Sequence, residues 1–207
     1  MEQVRRAYAA LAGAYIGLFG ASEQVHPDDL AFIGRHLTGR PGPVLDLGCG
    51  PGHITAWLRA AGADATGVDM VAEFIAHARA AHPDGDYRLA NALDIADHDV
   101  AGILAWFSLI HLPPPEMDGV LAGFRRAMAP HGRLVIGFFD GGEIEAFDHK
   151  VVTAYRWPVD AFAERLARAG FTEVERHRRP DEGPHRPIAA LAARVTAPAS
   201  PTDSRTR

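Results

Sequence analysis

The sequence predicts an α/β fold: one doubly wound, Rossmann-like sheet, mostly parallel, with an antiparallel edge hairpin at its C-terminal end. Three observations carry this. Short apolar runs alternate with stretches of helical periodicity along most of the chain. Residues 133–139 form an apolar run of the kind covered on both faces, as parallel strands are, so helices must lie on both sides. The first apolar run, residues 44–47, ends in closely spaced glycines that open a helix, the place where such sheets bind their ligands.

The elements follow in order. An amphipathic N-terminal helix and a second helical stretch over 28–37 precede a Gly/Pro turn at 39–43. Strand 44–47 leads into helix 53–61, which Gly62 stops. Strand 65–69 and helix 71–81 repeat the unit, with Val71, Phe74, Ile75 and Ala78 on one helix face. Strands are expected at 87–90 and 103–107. A helix opened by Pro113, Pro114 and Pro115 should bury Val120, Phe124 and Met128. After strand 133–139, a long connection over 140–158 reaches helix 159–169. Strands 171–177 and 188–195 then form the hairpin, with Gly183 and Pro184 in its turn. Residues 197–207, rich in Ala, Pro, Ser and Thr, read as a disordered tail.

The bulk properties narrow the function. A chain of 207 residues with 47% hydrophobic residues suits a single folded domain. A net charge of −5 supplies no field for a polyanion, which argues against nucleic acid and for a small-molecule partner. Cys49 is the only cysteine, so no intrachain disulfide can form and a cytoplasmic location is expected. No apolar run is long enough to span a bilayer, so no membrane association is expected. The 11 histidines show no metal-ligand spacing, and no metal is expected. The sequence is silent on oligomeric state.

The sharpest motif is Val44-Leu45-Asp46-Leu47-Gly48-Cys49-Gly50-Pro51-Gly52. Glycines are needed where backbone turns tightly or approaches a ligand without a Cβ in the way. Seventeen residues beyond Gly52, the second strand ends at Asp69, where a carboxylate can accept from both hydroxyls of a ribose. Together they describe a nucleoside site. A dinucleotide loop would want glycine where His53 stands, and its pyrophosphate would meet Asp46 as an uncompensated anion.

Residues 44–52 resemble the first motif of class I S-adenosylmethionine-dependent methyltransferases, in the small-molecule branch related to quinone-biosynthesis enzymes. The resemblance extends in element order over residues 3–195. It implies S-adenosyl-L-methionine as cofactor, with Asp46, Gly48, Cys49, Gly50 and Gly52 at its methionine end. Asp69 is then the ribose ligand and Met70 an adenine contact. Relatives carry Gly-Asp where Ala90 and Asn91 stand; Asn91 keeps a carbonyl acceptor, and Ala92 and Leu93 wall the ring. The resemblance also makes residues 1–38 a helical lid on an α/β domain of residues 39–196. Tyr8 and Tyr15, seven apart, share a face of that lid, with Tyr15 a cofactor contact.

Residues 103–114 resemble the fourth-strand segment of the same branch, which puts Phe107 and Ser108 against the cofactor. His111 is a candidate general base, or a residue that packs against the following helix. The aromatic and basic residues of 147–157 suit a planar or acidic acceptor, with His149 as a second catalytic candidate and Trp157 packed beneath. Methyl transfer by in-line displacement is the expected reaction. An NAD-dependent oxidoreductase and a catalytically silent cofactor-binding partner protein are the alternatives.

Overall fold

A computed structural model describes residues 1–95, 98–179 and 186–196. The expected tail and the turn at Gly183 and Pro184 lie outside the described residues. Helices α1 (Glu2–Phe19) and α2 (Pro27–Leu37) precede β1 (Pro43–Leu47), α3 (His53–Ala60), β2 (Asp64–Asp69), α4 (Ala72–Ala81) and β3 (Asp86–Leu89). Then come β4 (Val100–Trp106), α5 (Met117–Ala127), β5 (Met128–Asp140), β6 (Glu145–Phe147), β7 (Ala154–Trp157), α6 (Val159–Arg168), β8 (Phe171–Arg179) and β9 (Ile188–Val195). The sheet runs β3-β2-β1-β4-β5, all parallel. Strand β9 pairs antiparallel with β5 and with β8, which is the expected C-terminal hairpin.

The strand sequences show why the sheet is covered twice. Successive side chains point to opposite faces, so Leu45, Ile103, Leu134, Ile136 and Leu191 meet Leu121, Phe124, Phe162 and Leu166 of α5 and α6. Their neighbours Val44, Leu104, Val135, Ala190 and Ala192 face Phe32, Ile33, Leu37, Ile54 and Leu58 of α2 and α3. Burial of each large side chain here, such as Phe124 or Phe162 at 1% exposure, contributes about 1.5–3 kcal/mol. Helix α2 starts where Pro27 follows His26, whose Nδ1 accepts from the Asp28 amide, with acids in its first turn and Arg35 and His36 in its last.

Three details differ from expectation. The connection after β5 contains strands β6 and β7, antiparallel to each other, with β7 pairing to Phe139 and Asp140 of β5. In α5 the buried residues are Met117, Leu121, Phe124 and Ala127. Val120 is only partly buried and Met128 opens β5 instead of closing the helix, because the helix begins after a 3-10 turn at Pro114–Glu116, which resets its phase. Strand β5 also starts five residues early, through an irregular stretch in which His131 has a φ of 63°.

Candidate active site

The site forms where β1, β2 and β4 end side by side. Gly48, Gly50 and Gly52 have φ values of 76°, 53° and 86°, in the left-handed region that costs a Cβ-bearing residue strain. A Cβ on Gly48 would collide with the Ser108 side chain after β4. One on Gly52, the residue before α3, would lie 2.6 Å from Ala78 Cβ and 2.7 Å from Tyr87 Cε1. The loop is pinned to β2, since the amides of Gly48 and Cys49 both donate to Val68 O, at 2.7 and 3.1 Å.

Asp69 completes the clasp. Its Oδ2 accepts from Gly50 N at 2.9 Å and its Oδ1 from Val71 N at 2.8 Å, so one carboxylate joins the glycine loop to the start of α4. Burial raises its pKa, while the backbone amides oppose that rise. Asp46 lies beneath the loop, 2% exposed. It accepts from Thr55 Oγ1 at 2.6 Å, and burial pushes it up to about 7 against that hydrogen bond, with the Asp69 charge adding to the rise. Cys49 is buried and its thiol is held protonated by burial first, then by the two nearby carboxylates.

On the expected adenine side, Met70 is part of a cluster with Val71, Phe74 and the α1 residues Tyr8, Ala12 and Tyr15. Asn91 folds back on its own turn: its Oδ1 accepts from Leu93 N at 3.2 Å and its Nδ2 donates to Asp94 at 3.0 Å. Ala92 and Leu93 pack against the main core. Helix α1 reaches over the loop, with Tyr15 Cε1 3.8 Å from where a Cβ on Gly50 would stand. Tyr8 meets Tyr15 edge-on at 5.6 Å, and both rings contact Phe74.

On the other side of the loop, Phe107 takes a φ of 56°, its amide donating to Gly137 O. Its ring contacts Phe139, which contacts Phe147 and His149. His111 lies 5.2 Å from His149, ring to ring. His111 Nδ1 is 2.8 Å from Thr153 O. A carbonyl only accepts, so the proton sits on Nδ1 and the lone pair of the neutral ring on Nε2. Nε2 in turn faces Tyr8 Oη at 2.9 Å. Burial lowers the pKa of His111, and burial together with His111, Arg186 and Lys150 lowers that of His149 to about 4.

Of the expected residues, Asp69, Tyr15 and Ser108 lie against the glycine loop, while His111 and His149 meet each other and His111 meets Tyr8. Trp157, 1% exposed, packs in the main core against Phe162 of α6. Tyr8 and Thr153 as partners of His111, and Thr55 as partner of Asp46, were not singled out from sequence. The pairing of Tyr8 with His111 spans 103 residues, and no local pattern could reveal it. Ser108 Oγ is buried with no hydrogen-bond partner. It packs against Gly48, whose missing Cβ makes room for the Ser108 side chain. Among the described residues, no group of three or more His, Cys, Asp or Glu is arranged to hold a metal ion, and no helix is long and apolar enough to cross a membrane.

Residues 44–132 match the family model of a methyltransferase domain. The chain is similar to the ubiquinone biosynthesis O-methyltransferase of Idiomarina loihiensis, 29% identical over 126 residues, covering 57% of this chain and 51% of that protein. It is also similar to the malonyl-[acyl-carrier protein] O-methyltransferase of Erwinia billingiae, 27% identical over 129 residues, covering 62% of this chain and 49% of that one. The chain thus spans about half the length of these curated relatives. In fold it is similar to 1,6-didemethyltoxoflavin-N1-methyltransferase of Burkholderia thailandensis, solved with 1,6-didemethyltoxoflavin and S-adenosylhomocysteine, at a TM-score of 0.79 and 24% identity over 95% of this chain and 88% of that one. Residues 44–132 thus carry the likeness to a methyltransferase domain, and the fold is the one seen in methyltransferases of known structure.

Proposed function

We propose that the protein is an S-adenosylmethionine-dependent methyltransferase acting on a small planar acceptor with an ionisable hydroxyl. The observation that carries the reading is the clasp of Asp69 on Gly50 N, with the loop glycines left-handed and Ser108 Oγ unpartnered beside them. When bound, S-adenosylmethionine supplies an electrophilic methyl group. Asp69 would accept from its ribose hydroxyls through lone pairs the two amides leave free, since a carboxylate has about four acceptor sites. Met70, Ala92, Leu93 and Asn91 would border the adenine, with Asn91 first releasing the Leu93 amide if its carbonyl is to be read. Asp46, Gly48, Cys49, Gly52 and Ser108 would hold the methionine end, with Tyr15 over the loop and Phe107 at the methyl side.

The hydroxyl follows the O-methyltransferase relatives, and the planar acceptor rests on the rings of Phe107, Phe139, Phe147 and His149, which contact one another in succession. Neutral aromatic walls favour a flat ring and bring it into line with the loop. Helix α1 would serve as a lid, because its tyrosines cover the loop while its Leu11, Leu18 and Phe19 stay exposed. A cytoplasmic location belongs to the same reading and rests on the single buried cysteine.

Calorimetric titration with S-adenosylmethionine, S-adenosylhomocysteine and NAD in parallel tests this. The adenosyl pair should bind and NAD should not. Binding of NAD alone would replace the reading by an oxidoreductase, and silence from all three by a protein that keeps the fold without the cofactor.

A further inference from the structure

We propose that Tyr8, on the N-terminal helix, is the catalytic residue that takes the acceptor's proton, handing its own phenolic proton to His111 Nε2. The inference rests on the methyl-transfer reading above and adds a residue and a proton path to it.

The geometry decides the direction. Thr153 O fixes the His111 proton on Nδ1, so the Nε2 lone pair accepts from Tyr8 Oη–H at 2.9 Å. An acceptor cannot reach that lone pair without displacing Tyr8, so His111 does not act on it directly. The phenolic oxygen, having donated its one hydrogen, keeps its lone pairs for an incoming hydroxyl. Tyr8 also stands in the right place: its ring touches Tyr15, which covers Gly50, and it touches His111, three residues beyond Ser108. Tyr15 thus links the Tyr8 ring to the glycine loop, while the Tyr8 oxygen itself meets the histidine.

The step balances. As the acceptor oxygen forms its bond to the methyl carbon, the carbon–sulfur bond breaks and its electron pair stays on sulfur. The acceptor's proton moves to Tyr8 Oη while the Tyr8 proton moves to His111 Nε2. The positive charge lost at sulfur reappears on an imidazolium whose Nδ1–H remains bound to Thr153 O. A free tyrosinate is not needed, and burial together with Tyr15 and the Asp69 charge disfavours one. The groups facing the pair are Tyr15 and Asp69 on the Tyr8 side and His149, with Lys150 and Arg186 beyond it, on the other. Burial first, then His111, Arg186 and Lys150, keeps that second histidine neutral, so it does not compete for the proton.

The test uses the full chain saturated with S-adenosylhomocysteine and 4-nitrocatechol, a phenol whose anion is coloured, titrated from acid to neutral pH. The wild-type complex should hold the probe as anion at a pH where it is neutral in free solution. Tyr8→Phe keeps the ring contacts to Tyr15 and Phe74, and His111→Gln keeps an acceptor for Tyr8 but no base. Each should retain S-adenosylhomocysteine binding and lose the bound anion about a hundredfold or more, the lower end of what a positioned acid–base group contributes. A bound-anion titration in both variants matching wild type, or a wild-type complex that leaves the probe neutral, would overturn the proposal. His111→Gln carries the test alone should Tyr8→Phe disturb the lid. Calorimetry separates the two failures: no binding of S-adenosylhomocysteine by wild type defeats the methyl-transfer reading, whereas binding with indifferent variants defeats the relay alone.

Discussion

Asp69 is the side chain on which the site turns, because its two oxygens already hold the loop and the start of α4 before any ligand arrives. Asp69→Ala removes both the loop clasp and the expected ribose acceptor, so affinity for S-adenosylhomocysteine should fall by about 1.5–3 kcal/mol, the range for a hydrogen bond to a charged group. Calorimetry giving wild-type affinity would sink that assignment. Asp46 makes a different prediction. Its pKa in the fold, about 7, lies above the ordinary carboxyl value of 3.8 because it is buried. The folded protein therefore binds this proton more tightly than the unfolded chain does. Its stabilising contribution is full below the ordinary value and is lost as pH rises through about 7. The thermal midpoint of the ligand-free protein should fall across that window more steeply than that of Asp46→Asn, and equal slopes in paired melts would count against it. At this scale the sequence was most readable where chemistry is local. The glycines and Asp69 are set by the backbone at the strand ends, whereas the Tyr8–His111 bond exists only once α1 has packed on α4.

Elements were legible where a period repeats and illegible where it does not. Strands β1, β2, β4 and β5 carry apolar runs, and α6 places Val159, Phe162 and Leu166 on one buried face, so their existence follows from periodicity. Strands β6 and β7 have three and four residues and gain their pairing from Phe139 and Asp140 of β5 and from each other, which no alternation in 140–158 announces. Yet they carry the residues proposed for the acceptor side: Phe147 ends β6, and the Tyr155 amide of β7 donates to Ile110 O at 2.8 Å beside His111. The strand–loop–helix unit β1–α3 allows a test at its own scale. Gly52→Ala would place a Cβ against Ala78 and Tyr87 at a φ of 86°. The left-handed conformation alone costs about 1–2 kcal/mol, and the contacts add to it. Urea unfolding should show a loss of at least that size, with Gly62→Ala, where a Cβ would have open space at a φ of 89°, losing only the conformational part. Equal losses at the two positions would mean that packing against α4 and β3 does not constrain the loop.

Across the whole molecule, the N-terminal and C-terminal parts are tied by charge as well as by the sheet. Helix α2 lies before β1 in the chain, yet its Asp29, 3% exposed, accepts from Arg179 at 2.8 Å and lies 3.1 Å from His177, both on β8. Arg35 and His36 of the same helix reach Glu175 of β8 at 2.7 and 2.8 Å. The doubly wound topology could be read from the sequence because alternation of strand and helix admits few arrangements. These pairings could not, since they join residues 139 to 150 positions apart whose meeting depends on β9 inserting between β5 and β8. A buried carboxylate stripped of its partner is costly, and one removed leaves its cation unpaired. Arg179 is about a fifth exposed, so water offsets part of that loss, and Asp29→Ala should cost about 2 kcal/mol rather than the larger figure of a fully buried pair. The double-mutant cycle with Arg179→Ala should then return a coupling of about 1 kcal/mol or more, as expected of contacting groups. S-adenosylhomocysteine affinity should stay at the wild-type level in all three variants, because Asp29 and Arg179 bond to each other and not to the glycine loop or Asp69. Additive losses in the cycle would mean that burial of α2 alone holds the C-terminal hairpin, and a fall in affinity would mean that the clasp of α2 on β8 also shapes the glycine loop through α3 and β1.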